Sequence, residues 1–117
     1  MNVYAFDVDH TLDVSGGPVS FDSLKELRDN GHIVGLCGNF AMVTRWCPDW
    51  HKIISFIGPM AMSKAAFLMH ISGYVPAEEF IMVGNDSSIF GASKDKEAAR
   101  EAGWRFIREH EFAEGSR

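Results

Sequence analysis

Val3-Tyr4-Ala5-Phe6-Asp7-Val8-Asp9-His10-Thr11 is the stretch that decides the fold. Its first four residues form an unbroken apolar run, the pattern of a short strand buried on both faces. Asp7 and Asp9 follow at once and, two apart in an extended chain, lie on the same side. Such a pair repels itself and is costly to bury. It persists most easily with a cation between the acids or with a part in chemistry.

Working outward, strand and helix signals alternate. The first strand is predicted over residues 2–7, and a Gly-rich turn runs from Asp13 to Pro18. Ser20 can cap a helix bearing Phe21, Leu24 and Leu27 on one face, stopped by Gly31. A second strand is expected from His32 to Leu36, and a helix from Phe40 to about Cys47, where Pro48 breaks it. Ile53 to Ile57 reads as a third strand, and Ser63 as the cap of a helix ended by Gly73. Phe80 to Val83 reads as the fourth strand, Asp95 to Ala102 as a helix ended by Gly103, and Trp104 to Ile107 as an edge strand. From about Glu109 the polar tail is expected to fray.

This order predicts an α/β fold: a three-layer, Rossmann-like parallel sheet of about five strands, with helices on both faces, as one domain over 1–117. Open sheets of this kind carry their sites at the carboxyl ends of the strands. Asp7/Asp9, Cys37-Gly38-Asn39 and Gly84-Asn85-Asp86 each follow a strand, and Lys64 opens a helix shortly after another. Four clusters can therefore converge on one edge.

The composition narrows the function. The net charge is −5 with no basic stripe, which disfavours nucleic-acid binding through charge. Two cysteines without a CxxC spacing fit a reducing cytosol. The N-terminal apolar run lacks basic residues before it and is broken by Asp7, unlike a signal peptide or membrane span, so a cytoplasmic protein is expected. The formal glycosylation match at Asn85-Asp86-Ser87 means nothing without secretion.

The clusters suit phosphoryl transfer, which needs a nucleophile, charge neutralisation and a proton donor for the leaving oxygen. Asp7 can attack phosphorus, and Asp9 can protonate the leaving group and then activate water. A hard cation, Mg²⁺, would draw oxygen ligands from Asp7, the Asp9 carbonyl and the carboxylate after the fourth strand. Lys64 would balance charge, and backbone N–H groups after Leu36 would cradle phosphate.

These residues resemble the haloacid dehalogenase superfamily of phosphohydrolases. Its first motif is an apolar strand followed by Asp-x-Asp-x-Thr, here Asp7-Val8-Asp9-His10-Thr11. Cys37-Gly38-Asn39 stands where that family has a hydroxyl residue after a strand, and Ser63-Lys64-Ala65 matches its Lys at a helix start. Phe80 to Asp86, then Asp95-Lys96-Glu97-Ala98-Ala99-Arg100-Glu101-Ala102-Gly103, match its fourth motif. The resemblance implies catalysis by Asp7, Asp9 and Lys64. It implies phosphate binding by Thr11, Cys37, Gly38, Asn39 and Lys64, and Mg²⁺ held by Asp7, Asp9 and Asp86, with Asn85 and Asp95 as alternatives.

Cys37 departs from the family's hydroxyl, Asn85 from its first acid, and the gap from Ser87 to Lys94 is long. The connections leave no room for a large cap. Capless relatives act on large substrates or borrow a neighbouring subunit as a lid, so a second copy covering the site is expected. The substrate would be a phosphorylated small molecule or macromolecule.

Plainer readings exist for several residues. Thr11 can cap a loop, Cys37 can be an inert buried thiol, and His10 can be a surface residue rather than a substrate contact. Phe40, Trp46 and Trp50 read as packing, and Met60 and Met62 as gap-fillers. A receiver domain of two-component signalling would need an acid at the end of the third strand, and Ile53 to Pro59 has none. An inactive binding relative of the phosphohydrolases is the remaining alternative.

Overall fold

The computed structural model describes residues 1–86 and 94–117. Five strands form one parallel sheet: β1 (Val3–Phe6), β2 (Ile33–Cys37), β3 (Phe56–Gly58), β4 (Phe80–Gly84) and β5 (Arg105–Arg108), in the spatial order β3-β2-β1-β4-β5. β1 is central, pairing Phe6 with Leu36 on one side and with Val83 on the other. Centrality explains its unbroken apolar run, since both faces are covered.

Helices α1 (Phe21–Asp29), α2 (Ala41–Trp46) and α5 (Glu109–Ala113) contribute to the core on one face. There Leu24, Leu27, Val43 and Phe112 pack with Tyr4, Phe6 and Val8. On the other face α3 (Lys64–Tyr74) and α4 (Asp95–Ala102) supply Leu68 and Ala99, which pack with Val3, Ala5 and Met82. Even-numbered β1 residues thus face the first layer and odd-numbered ones the second. Asp7 continues the odd series, towards the layer in which Lys64 and Asp95 each open a helix.

The helix ends follow their sequence signals. Ser20 and Ser63 accept N–H groups from Ser23 and Ala66, at 3.3 and 3.1 Å. Gly103 closes α4 at φ 77°, a conformation that favours glycine. The connection after β1 holds a single 3-10 turn (Asp13–Ser15) and α1, and that after β2 holds the short α2 and a 3-10 turn (Trp50–Lys52), with no inserted cap.

Three expectations change. The third strand starts later, at Phe56, because Trp50–Lys52 forms a 3-10 turn that accepts the N–H groups of Ile53 and Ile54. α3 runs through Gly73 to Tyr74, since Gly73 keeps helical geometry with open space around it. The tail does not fray at Glu109: it turns into α5, and Phe112 stacks edge-on against Phe6 at 5.1 Å between ring centres. Among the described residues no helix is long and apolar enough to cross a membrane.

Candidate active site

Asp7 lies at the carboxyl end of the central strand, only 2% exposed, and its two oxygens face different partners. Lys64 Nζ donates to Asp7 Oδ1 at 2.9 Å and to Asp95 Oδ1 at 2.7 Å. Asn85 Nδ2 donates to Asp7 Oδ2 at 2.8 Å and to the Asp9 carbonyl oxygen at 3.0 Å. Thr11 Oγ1 also points at Asp7 Oδ2, at 3.4 Å. Two segments far apart in sequence, at Lys64 and Asn85, therefore meet on one carboxylate, with Thr11 of the following turn.

Two glycines make room for this. A β-carbon at residue 38 would collide with Asp7 Oδ1, and one at residue 84 would lie 2.5 Å from Asp95 Oδ2. Gly38 thus leaves room for Asp7 Oδ1 beside Lys64, and Gly84 lets Asp95 reach under the end of β4. There Asp95 Oδ2 accepts the Asn85 backbone N–H at 2.9 Å.

The electrostatics follow from burial. Asp95 is fully buried, and desolvation with the nearby Asp7 charge raises its carboxyl to about 6, against the opposing pull of Lys64. Burial pulls the Lys64 ammonium down, but Asp7 and Asp95 together outweigh it and the net shift is upward. Lys64 is therefore a fixed cation between two acids. A lysine at a helix start opposes the helix dipole, and the paired carboxylates account for its presence there.

Asp9 turns its side chain outward. It is exposed, and Oδ1 accepts from Asn39 Nδ2 at 3.2 Å, so this carboxyl sits above the buried Asp7 within reach of solvent. The turn beyond it is tight, with His10 exposed at φ 60° and the Thr11 N–H returning to the Val8 carbonyl at 3.0 Å.

Three expected phosphate contacts take other parts. Thr11 is fully buried and reaches Asp7 instead, because the turn folds it beneath the carboxylate. Cys37 is also fully buried among Val3, Ala5, Leu68 and Met82, where desolvation pushes its thiol up to about 12. It belongs to the floor of the site. The Gly38 N–H donates to the Gly58 carbonyl at 2.8 Å and so is not available to a ligand. Among the described residues, the N–H groups of Asp9 and Asn39 have no acceptor, and these remain for an anion.

Among the described residues no three His, Cys, Asp or Glu side chains lie close enough together to hold a metal. Asp9 directs its backbone carbonyl, the group expected to ligate Mg²⁺, inward beside Asn85, and its carboxyl outward. Asp86 is half-buried one residue past Asn85. Asp95 serves Lys64 and the Asn85 backbone. The stretched segment beyond Asp86 lies, for residues 87–93, outside the described residues.

Oxygens nevertheless gather in a way that fits a hard cation. The Asn85 amide nitrogen is 2.8 Å from Asp7 Oδ2 and 3.0 Å from the Asp9 carbonyl. Oxygen ligands of an octahedral Mg²⁺ are separated by about 2.9 Å, given bonds of about 2.0–2.1 Å. Asn85 turned to present its oxygen, Asp7 Oδ2 and the Asp9 carbonyl would form part of such a shell.

Sequence reasoning gave Lys64 a role towards substrate and missed its bond to Asp95. Met60 is 72% exposed, and Met62 is exposed too, so neither fills a gap. Comparisons with protein-family models, with curated proteins and with solved structures find no match.

Proposed function

We propose that the protein is a Mg²⁺-dependent phosphohydrolase that works through an aspartyl-phosphate on Asp7. The observation that carries the reading is the division of the Asp7 carboxylate. Oδ1 lies over Gly38 beside Lys64, and Oδ2 lies beside Asn85 and the Asp9 carbonyl. An oxygen with no β-carbon against it can approach phosphorus, while its twin lies beside groups that could hold a cation.

In the first step Asp7 Oδ1 attacks phosphorus and the bond to the leaving oxygen breaks, with protonated Asp9 giving that oxygen its proton. In the second, Asp9 takes a proton from water. The water oxygen bonds to phosphorus, the bond to Asp7 breaks, and inorganic phosphate leaves. Asn39 keeps the Asp9 carboxyl facing outward for both transfers, and Lys64 offsets negative charge on the phosphoryl oxygens. The Asp9 and Asn39 N–H groups stand ready for those oxygens. Bound Mg²⁺ would neutralise phosphate charge, held by Asp7, the Asp9 carbonyl and Asn85, with Asp86 as the nearby further acid.

The missing cap leaves the site accessible to a phosphorylated macromolecule as well as to a small molecule, and a second copy is a fitting cover. Two unbridged cysteines agree with a reducing, cytoplasmic setting.

A second reading is a binding relative without turnover, favoured by the buried Cys37 and by Asn85 in the place of an acid. Hydrolysis of an aryl phosphate with and without Mg²⁺, by the native protein and by Asp9→Asn, separates the two. Mg²⁺-dependent turnover lost in the variant supports the phosphohydrolase. Mg²⁺ binding without turnover supports the binding module.

A further inference from the structure

Asn85 Nδ2 bridges two groups that can only accept, the Asp7 carboxylate and the Asp9 carbonyl. Chemistry therefore fixes which way this carboxamide faces when no cation is present: the NH₂ end must point inward. A cation at the same place requires the reverse, because an N–H cannot ligate it and its hydrogens carry positive charge. The two arrangements exclude each other.

From this we infer that Asn85 is a carboxamide latch. In the metal-free protein its NH₂ group stands in for the cation and holds Asp7 and the Asp9 carbonyl together. Binding of a divalent cation turns the amide over, so that its oxygen becomes a ligand. The inference rests on the proposed reading of the site and adds to it a residue whose state reports occupancy.

Asn85 is 3% exposed, and its backbone N–H is pinned by Asp95 Oδ2 at 2.9 Å. Rotation about the bond to the amide carbon turns the group over without moving this backbone. Among the described residues Asn85 Oδ1 accepts no hydrogen bond, so turning over gives up no contact at that end. The inward hydrogen bonds do compete with the cation. The ligand set also carries less negative charge than one with an acid at residue 85. Both effects weaken cation binding, which for hard cations is tuned by ligand charge count.

The test observes the Asn85 side-chain NH₂ pair by NMR while Mg²⁺ is added, with calorimetry recording Mg²⁺ binding. In the metal-free protein the pair should exchange slowly with water, and on Mg²⁺ saturation exchange should quicken by about tenfold or more as the charge-assisted bond to Asp7 and the bond to the Asp9 carbonyl break. Asn85→Asp should bind Mg²⁺ about tenfold tighter or better, having a third charged or carbonyl oxygen with no amide to turn. Saturating Mg²⁺ that leaves the pair unmoved would overturn the latch, as would an Asn85→Asp that binds no tighter. If turnover in either case still depends on Mg²⁺ and Asp7, the phosphohydrolase reading survives. Absence of both Mg²⁺ binding and turnover overturns the two together.

Discussion

Lys64 Nζ stands 2.7 Å from Asp95 Oδ1, joining the first residues of two neighbouring helices beneath the end of β4. The bond changes what Asp95 is for. An acid at this point in the sequence reads as a metal ligand, yet here it anchors the lysine that faces Asp7. One Asp95 oxygen holds Lys64 and the other holds the Asn85 backbone, so this buried residue positions two of the groups that bond Asp7.

Removing the cation should show how much the arrangement depends on it. Lys64→Met leaves Asp7 and Asp95 buried with no cation between them, and breaking a buried pair typically costs about 3–5 kcal/mol. Urea unfolding of metal-free protein should show a loss of that order. Adding Asp95→Asn should recover part of it, because one of the stranded charges is then gone. Equal losses in the single and double variants would mean that Asp95 and Lys64 are not coupled.

The Asp95 carboxyl makes stability depend on pH with a definite sign. Its folded value of about 6 lies above its ordinary value of 3.8, so the fold disfavours the ionised form. The corresponding stability is fully present below about pH 3.8 and is lost as pH rises through about 6. In metal-free protein, unfolding free energy should carry a decline across that window, and Asp95→Asn should remove this component. An Asp95 carboxyl signal titrating at its ordinary value would contradict the desolvation that places it there.

Cys37 offers a test of position. If its side chain faced the phosphate, Cys37→Ser would supply a better hydrogen-bond donor and improve turnover. In the fold described here the hydroxyl would instead enter an apolar cluster with Leu68 and Met82. The substitution should cost about 1–3 kcal/mol by chemical denaturation and bring no gain in kcat/KM. The buried thiol, pushed up to about 12, should also stay unreactive towards iodoacetamide at neutral pH in the native protein.

Much of this was legible in the sequence, for reasons particular to each element. The apolar runs at Val3–Phe6, Ile33–Cys37 and Phe80–Gly84 are the strands with most to bury. Ser20, Ser63 and Gly103 mark helix ends through local chemistry that needs no tertiary context. α5 was hidden because a single apolar residue, Phe112, carries its packing, and no periodicity can show in five residues. The convergence of Asp7, Lys64 and Asn85 could be expected from strand ends. Which atom meets which could not, since that depends on strand parity and on the space left by Gly38 and Gly84. The burial of Thr11 and Cys37 has the same origin: the sequence names the residue types, and only the sheet decides which side faces the ligand.

The central claim is that Asp7 is the nucleophile. It is tested most directly by acid-quenching the protein with an aryl phosphate and Mg²⁺, using Asp9→Asn to slow release of the phosphoryl group, and by mass spectrometry of the peptide containing Asp7. One added phosphoryl group is expected on Asp7 in that variant, and no adduct when Asp7 is replaced by Asn. Hydrolysis at equal rates by the native protein and by Asp7→Asn, with no adduct in either background, would contradict it.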